Sequence, residues 1–169
     1  MNAYSKNSKT DYVVTQSNQL IEADYSKTEL SVNPLKLFKL VVAMLSPEDE
    51  HLRLIKIKLP VYKQFMGYKP NAPYGRLYKD LESHCKALNQ QTIKLVDKDG
   101  DILNAFAISS WTIKHQTDEL HIEISGQLKP HLLQLKSNCT SIQLSYIPRL
   151  ISSYSIRLYE LLCSYRGVG

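Results

Sequence analysis

The chain has 169 residues, a formal net charge of +5 and a hydrophobic content of 43%. A chain of this length can bury one sizeable core, or one domain with a few additional elements. It contains no apolar run of the ~18 residues that a membrane-spanning helix needs, and its polar first residues lack the apolar core of a signal peptide. We therefore expect a cytoplasmic protein without a membrane partner.

The N-terminal part of the chain predicts a tail, an extended segment and one helix. Residues 1–11 are rich in Asn, Ser and Lys, and we expect a disordered tail ahead of a single folded domain over residues 12–169. Tyr12–Ala23 begins with β-prone residues and predicts a strand or an extended arm. Asn33 followed by Pro34 is typical of a helix start. A core helix is predicted by helical spacing of Leu37, Leu40, Val41, Met44 and Leu45.

A strand and a short helix come next. Alternating apolar and polar residues in Leu52–Leu59 predict a half-buried strand. Pro60 suits the first turn of a short helix that extends to about Met66, and Gly67 suits its left-handed C-terminal cap. The four-residue connection that starts at Gly67 is short, as in a helix-turn-helix.

The second helix of this pair, predicted over Asn71–Leu88, carries the main functional prediction. The side chain of Asn71 is predicted to cap its first turn, and Pro73 fits that turn because a missing N–H costs nothing there. An apolar stripe at helical spacing is formed by Tyr74, Leu77, Tyr78, Leu81, Cys85 and Leu88. Another face carries Arg76, Lys79, Ser83 and Lys86. This second face is either a DNA-binding surface or an ordinary solvated charged face.

Positive charge is concentrated around this helix pair. Between Arg53 and Lys98 the chain has ten Lys or Arg residues against three acidic residues, a balance of +7, which leaves −2 for the remainder. Phosphate binding is mostly electrostatic and needs such a concentration of charge. The charge therefore favours double-stranded DNA as the partner, although lysine-rich surfaces also serve solubility.

Two predicted hairpins follow the basic helix. Thr92–Val96 reads as a strand, and Ile102–His115 reads as a long returning strand with a bulge near Ser109. Glu119–Ser125 then completes an antiparallel sheet. Hairpins in this position predict the wing of a winged helix, and we expect Lys98, in the first turn, to lie at the wing tip beside phosphate.

The C-terminal part predicts a short helix over Leu128–Leu135, an extended segment over Thr140–Leu144 and a last helix over Ser153–Tyr165. The last helix is predicted to pair Arg157 with Glu160. Its predicted buried stripe contains Tyr154, Leu158, Leu161, Leu162 and Tyr165. The predicted fold class is α+β: a winged helix (helix-turn-helix followed by an antiparallel β-hairpin wing) with extra N- and C-terminal helices.

Known catalytic and metal-binding patterns do not fit the sequence. The aspartates that begin at Asp97 start like a calcium loop, but the glycine and the final glutamate of that motif are misplaced. Phosphate-loop and nucleophile-elbow motifs are lacking, and the histidines and cysteines have no zinc-ligand spacing. We therefore expect no enzyme activity, no metal and no cofactor. The odd, scattered set of Cys85, Cys139 and Cys163 predicts reduced thiols.

Two C-terminal segments resemble a known family. Residues 152–162 resemble the Ser-x-Tyr-Ser-x-Arg-Leu-Tyr-Glu-Leu-Leu segment of iteron-binding plasmid replication initiators, and residues 128–135 resemble the Leu-x-Pro-x-Leu-x-x-Leu stretch just upstream. The order of elements from Leu30 to Tyr165 is also similar. The matching residues of the longer segment that we single out are Tyr154, Arg157, Leu158, Tyr159, Glu160 and Leu161.

This resemblance implies a bacterial, plasmid-associated protein with two tandem winged-helix domains, of which this chain contains the first. Such initiators bind origin iterons, help to open the origin as monomers, recruit host replication proteins with chaperones as further possible partners, and often repress their own gene as homodimers. The first domain is implied to contribute DNA-backbone contacts and the dimer interface. By this reading Lys69, Asn71, Arg76, Lys79 and Lys86 mainly contact phosphate or form part of the surface in the dimer. Arg157, Tyr159 and Glu160 fix the last helix and the domain junction.

Two alternatives remain open at this stage. The domain could be a dimerisation module that makes no DNA contact, using the exposed strand edges of Ile102–His115 or Glu119–Ser125. It could also be a stand-alone winged-helix transcription regulator.

Overall fold

A computed structural model describes residues 12–23 and 30–166, so the predicted tail over residues 1–11 lies outside the described residues. The helices are α1 (Asn18–Ile21), α2 (Val32–Ala43), α3 (Leu59–Phe65), α4 (Tyr74–Gln90) and α5 (Ser153–Tyr165). The strands are β1 (Val13–Ser17), β2 (Ile55–Lys58), β3 (Thr92–Val96), β4 (Ile102–Phe106), β5 (Ile108–Lys114), β6 (Glu119–Ile124) and β7 (Cys139–Gln143). Short 3₁₀ helices span Gly126–His131 and Leu144–Arg149.

The central sheet has three antiparallel strands in the order β2-β6-β5. Together with α2, α3 and α4 this order gives a winged helix, so the predicted fold class is confirmed. The wing is the turn between β5 and β6. The β3–β4 hairpin forms a separate two-stranded sheet inserted between α4 and β5, and β1 pairs with β7 in a third small sheet.

Alternation in the central sheet separates core from surface. Ile55 and Ile57 of β2 are buried, whereas Lys56 and Lys58 between and after them are exposed. Leu120, Ile122 and Ile124 of β6 are buried as well. Helix α2 packs against α4 and buries its predicted core positions Leu37, Leu40 and Val41.

Helix α4 begins three residues later than predicted. Asn71 does not cap it, because the N-cap residue is Pro73, with φ −64° and ψ 137°. The proline ring disfavours a helical conformation for the preceding Ala72, so the chain stays in a turn until Tyr74. Asn71 lies exposed in that turn, where the Ala72 amide donates to the Lys69 carbonyl at 2.9 Å.

The predicted long strand Ile102–His115 is two strands that belong to different sheets. The chain changes sheets at Ala107, whose amide donates to the Gln91 carbonyl at 3.0 Å and whose carbonyl accepts from the Ser125 amide at 3.3 Å. The predicted bulge is confirmed, because the β5–β6 register shifts between Ile108 and Ser110.

Two shorter predictions had different outcomes. Gly67 has a φ of +77° directly after α3, as predicted for a left-handed cap. The predicted helix over Leu128–Leu135 is instead a 3₁₀ helix over Gly126–His131 with Pro130 inside it. Proline has no amide proton to donate, which disfavours a regular α-helical continuation.

The bounds of α5 match the prediction, but its predicted buried face is wrong. Tyr154, Leu162 and Tyr165 are 73%, 62% and 57% exposed. Leu158 is also exposed and Leu161 is half-buried. The residues that point into the protein are Ile156, Glu160 and Ser164.

A buried polar network explains this orientation of α5. Lys39 Nζ lies 2.6 Å from Glu160 Oε1, and both side chains are fully buried. Gln16 of β1 donates to the same carboxylate at 3.1 Å and accepts from Lys39 at 2.9 Å. Arg157 donates to the Ala23 carbonyl at 2.8 Å and lies 3.9 Å from the second Glu160 oxygen. Because buried charges require partners, this network orients α5 more strongly than its leucines do.

We expect Glu160→Ala to lower the free energy of unfolding by ~3–5 kcal/mol, because the Lys39 ammonium would remain buried without its partner. Urea denaturation measures this. Leu162→Ala is the matched control on the exposed face and should change stability by no more than ~0.5 kcal/mol. Equal effects of the two substitutions would contradict the buried pair.

Candidate nucleic-acid interface

A buried polar network fixes the helix-turn-helix. The hydroxyl of Tyr62 in α3 lies 2.9 Å from Nδ1 of His84 in α4, and both residues are buried. The Tyr62 ring lies 5.9 Å from the ring of Tyr68 in the turn. Tyr68 in turn donates to Asp80 Oδ2 at 2.6 Å. This network joins both helices and the turn between them.

Burial lowers the pKa of His84, although the Asp80 carboxylate acts in the opposite direction. Burial also raises the pKa of Tyr62, and the same cause dominates at Tyr68. Both tyrosine hydroxyls therefore remain protonated at neutral pH. The sequence prediction missed His84 because an isolated histidine carries no periodic signal; its position three residues after Leu81, within the apolar stripe, was the available indication.

The predicted basic residues of α4 are exposed and share one face. Arg76, Lys79, Ser83 and Lys86 recur at intervals of three and four residues, which places them along about 15 Å of helix. Arg76 Nε lies 3.8 Å from Asp80 Oδ2, and Lys86 Nζ lies 3.1 Å from Glu82 Oε1. Exposed pairs of this kind contribute little and are screened by salt, so these cations remain available to an anionic ligand.

The turn before α4 adds further cations. Lys69 is exposed there, near the start of the helix. Lys63 of α3, which the sequence prediction did not single out, donates to the Pro70 carbonyl. Its ammonium also lies 5.4 Å from the ring centroid of Tyr74. The positive surface thus begins on α3 and continues through the turn into α4.

The wing lies against the first half of α4. The Tyr78 hydroxyl donates to the carboxylate of Asp118, and the Tyr78 ring lies 4.5 Å from the His115 ring. The hydrogen bond to Asp118, ahead of burial, raises the pKa of Tyr78 to about 12. These contacts dock the wing turn against α4, and Lys114 and His115, which precede that turn, are exposed. Neither wing residue was among the predicted site residues, although both precede a predicted turn.

Lys98 is not at the wing tip, and its predicted placement is wrong. It lies in the turn of the β3–β4 hairpin, which contacts α1 through a 2.8 Å hydrogen bond from Gln19 to the Val96 carbonyl. That turn is organised by Asp97, whose carboxylate accepts from the amides of Asp99 and Asp101. Phosphate contact by Lys98 stays a prediction.

The outer face of the central sheet alternates in charge near the wing. Glu119 of β6 lies opposite Lys58 of β2 and Lys114 of β5. Its carboxylate lies 3.0 Å from His121 Nε2, and this hydrogen bond is the main reason why the pKa of Glu119 is lowered. The lysines of this row are thus partly balanced by one acidic residue.

The described ranges contain neither a membrane-spanning helix nor a metal-binding cluster. Within residues 12–23 and 30–166, no helix is both long and apolar enough to cross a membrane. In the same part of the chain, no three His, Cys, Asp or Glu side chains are grouped so that they could hold a metal ion.

Comparisons with known proteins agree on the fold. A family model described as "Initiator Replication protein, WH1" matches residues 13–163. The chain is similar to the Pi initiator protein, whose crystal structure is in complex with iteron DNA, with a TM-score of 0.71 and 18% identity. That match covers 92% of this chain, which spans 64% of the length of the Pi chain.

A second match is the WH1 domain of MSBI1.176, a replication protein isolated from a multiple sclerosis patient. It has a TM-score of 0.44 and 12% identity, and the match covers 75% of this chain and 88% of the other.

The lowered pKa of His84 predicts a pH effect on stability. The unfolded chain gains a proton at this side chain near the ordinary value of 6.5, whereas the folded protein binds that proton only at lower pH. The stabilising contribution is therefore complete above pH 6.5 and is lost as the pH falls through the folded pKa. We expect the free energy of unfolding, measured in urea on both sides of pH 6.5, to depend less on pH in His84→Asn.

The exposed His51 provides the control for this measurement. His51→Asn should keep the pH dependence of the unmodified protein. An identical dependence in His84→Asn would contradict the assignment of a proton-linked role to the buried histidine.

Proposed function

Because the chain belongs to the WH1 family of initiator replication proteins, we propose that it is a DNA-binding domain of a plasmid replication initiator. Its proposed partner is double-stranded DNA at the iterons of a plasmid origin. The observation that carries this proposal is the exposed basic face of α4, together with the wing turn that docks on the first half of the same helix through Tyr78. As the first of two winged-helix domains in the complete initiator, it would work by binding and not by catalysis.

The charge distribution supports backbone contact in particular. The proposed contacts are exposed side chains, most of them lysines, whose ammonium groups bind phosphate as point charges. They comprise Lys69, Asn71, Arg76, Lys79, Ser83, Lys86 and, on the wing, Lys114. Asp80 and Asp118 lie among them, but each accepts a hydrogen bond from a tyrosine. Glu82 and Glu119 also lie near these cations, and their carboxylates contact Lys86 and His121.

The biological role follows from binding energy. The free energy of binding at the origin would be used to distort DNA, because additional protein–DNA contacts offset the energy that the deformation costs. We propose that the monomer helps to open the origin and recruits host replication proteins, with chaperones among its partners. We further propose that a dimer represses the initiator's own gene.

We expect the double variant Arg76→Ala, Lys79→Ala to keep its thermal stability and to lose DNA affinity. The slope of log affinity against log salt concentration is negative, and each lost phosphate contact should reduce its magnitude by about 0.9. Fluorescence anisotropy over a salt series measures this slope. The control is Lys136→Ala, an exposed lysine remote in sequence from α4 and the wing. Unchanged affinity of the double variant would remove the basic face of α4 from the DNA surface.

An exposed apolar face favours a second activity, dimerisation. Val96, Ile102 and Phe106 of the β3–β4 hairpin are 51%, 64% and 51% exposed. They lie on one face of the hairpin, on which the exposed Lys94–Asn104 pair separates Phe106 from the Val96–Ile102 pair. Apolar patches on soluble proteins often mark interaction sites, so we propose this face as the homodimer interface.

One of the strand edges considered from sequence is not available for such pairing. Strand β6, which contains most of Glu119–Ser125, is the middle strand of the central sheet and has a partner on each side. β4 and β5 are edge strands in their respective sheets. The apolar face and the edge of β4 belong to the same hairpin, which supports it over the central sheet as the site of subunit contact.

We expect Ile102→Ser to shift the protein from dimer to monomer, because a polar side chain would replace an aliphatic one in the buried contact. Sedimentation equilibrium measures the shift. Leu54→Ser is the matched control, since Leu54 is an exposed aliphatic residue outside the hairpin. Equal dimer content in both variants would exclude the hairpin face as the interface.

A further inference from the structure

Asp118 connects the wing turn to both helices of the helix-turn-helix. Its backbone carbonyl accepts from the amide of Leu59, the first residue of α3, at 2.8 Å. Its carboxylate accepts from the Tyr78 hydroxyl in α4. Its φ is +51°, in the left-handed region. Non-glycine residues stay in that region only when their surroundings fix them there, and these two hydrogen bonds supply that constraint.

A hairpin tip without such contacts is expected to be mobile. Turn residues usually move more than the strands that they connect. Here the contacts are specific: a hydrogen bond to a carboxylate is stronger than one between neutral groups, and the His115 ring lies on the other side of the turn against the Tyr78 ring. The wing thus has a fixed position relative to the first half of α4.

The connecting residues are sequence neighbours of the exposed cations on both elements, and Lys114 itself lies on the outer face of the central sheet opposite Glu119. Tyr78 precedes Lys79 on α4, and His115 follows Lys114 on the wing. A fixed wing therefore fixes the spacing between the two groups of positive charge. The hydrogen bond also keeps the Asp118 carboxylate engaged with a protein donor beside a surface that would bind phosphate.

We infer that Tyr78 and Asp118 are positioning residues that hold the wing so that Lys114 contacts a DNA phosphate at the same time as the α4 cations. This inference rests on the proposed DNA-binding function and assigns part of that binding to the wing. Lys114 would contact the phosphate directly, whereas Tyr78 and Asp118 would act indirectly, by holding Lys114 in position. Without the hydrogen bond the wing would be mobile, and the conformational entropy lost on ordering it would oppose binding. The Lys114 contact would then be lost.

Three substitutions separate the hydrogen bond from charge and backbone effects. Tyr78→Phe removes the donor and keeps the ring against His115. Asp118→Asn removes the negative charge, keeps an oxygen acceptor and tolerates the left-handed backbone. Asp118→Gly removes the same charge and the acceptor, while glycine readily adopts a positive φ. The Asn and Gly variants are thus matched in charge and differ at the hydrogen bond.

The test is the salt dependence of binding to a fluorescein-labelled duplex of mixed sequence, measured by anisotropy with the full chain. Backbone contacts do not require a specific sequence. We expect Tyr78→Phe, Asp118→Gly and Lys114→Ala each to reduce the magnitude of the negative log–log salt slope by about 0.9, the value for one phosphate contact. Adding Lys114→Ala to Tyr78→Phe should lower it no further, and Asp118→Asn should keep the original slope.

Thermal melting shows whether each variant is folded. If Tyr78→Phe fails to fold, Asp118→Gly carries the test, because it relieves the left-handed backbone constraint. An unchanged slope in folded Tyr78→Phe, or additive effects of Tyr78→Phe and Lys114→Ala, would overturn the positioning role. A normal slope in Lys114→Ala would overturn the wing contact itself.

The same measurements distinguish failure of this inference from failure of the proposed function. Suppose that the unmodified chain binds the duplex with a steep salt dependence and that the wing variants keep the same salt dependence. The proposed function then stands and the positioning role falls. If the unmodified chain shows no salt-sensitive binding, both fall together.

Discussion

Burial of one face of α4 determines which of its side chains meet solvent. Leu77, Leu81, Cys85 and Leu88 are all buried in the core, and this burial leaves Arg76 and the residues at its helical spacing on the outside. Apolar burial sets the rotation of the helix but does not position the turn and the wing around it. Those are held by polar contacts, from Tyr68 to Asp80 and from Tyr78 to Asp118. The buried apolar stripe of α4 thus determines which side of the helix faces solvent. The hydrogen bonds of two tyrosine hydroxyls hold the turn and the wing in position around that side.

The orientation of the last helix, α5, depends on a buried polar group and not on an apolar stripe. Its conspicuous leucines and tyrosines are mostly exposed, and its docking depends on Glu160, which is fully buried with Lys39. A buried ion pair contributes little net stability, but the loss of one partner is costly. The pair therefore specifies one rotation of α5 against β1 and α2. The initiator-like segment of this helix includes Arg157 and Glu160, both of which take part in the network.

The sequence predicted those features that depend on local pattern. Alternation identified β2, helical spacing identified α2 and α4, and Gly67 marked the end of α3. It failed where distant parts of the chain meet. The partner of Glu160 is Lys39, more than a hundred positions away, so a stripe of leucines was mistaken for the buried face. The predicted position of Lys98 at the wing tip is wrong for the same reason. No local pattern encodes the strand order, which separates the hairpin that carries Lys98 from the central sheet. The prediction that Asn71 caps α4 failed for a local reason. It placed Pro73 inside the first turn, whereas Pro73 is itself the N-cap residue.

We propose that this domain binds the DNA backbone through α4 and the wing. The most direct test is anisotropy of the unmodified chain on a duplex of its own origin and on a scrambled duplex, at several salt concentrations. We predict binding to both, with similar affinities and a steep loss of affinity as salt is raised. A failure to bind either duplex at low salt would contradict the claim and leave dimerisation as the activity of the domain. A strong preference for the origin would contradict the assignment to backbone contact and would place base reading on α4.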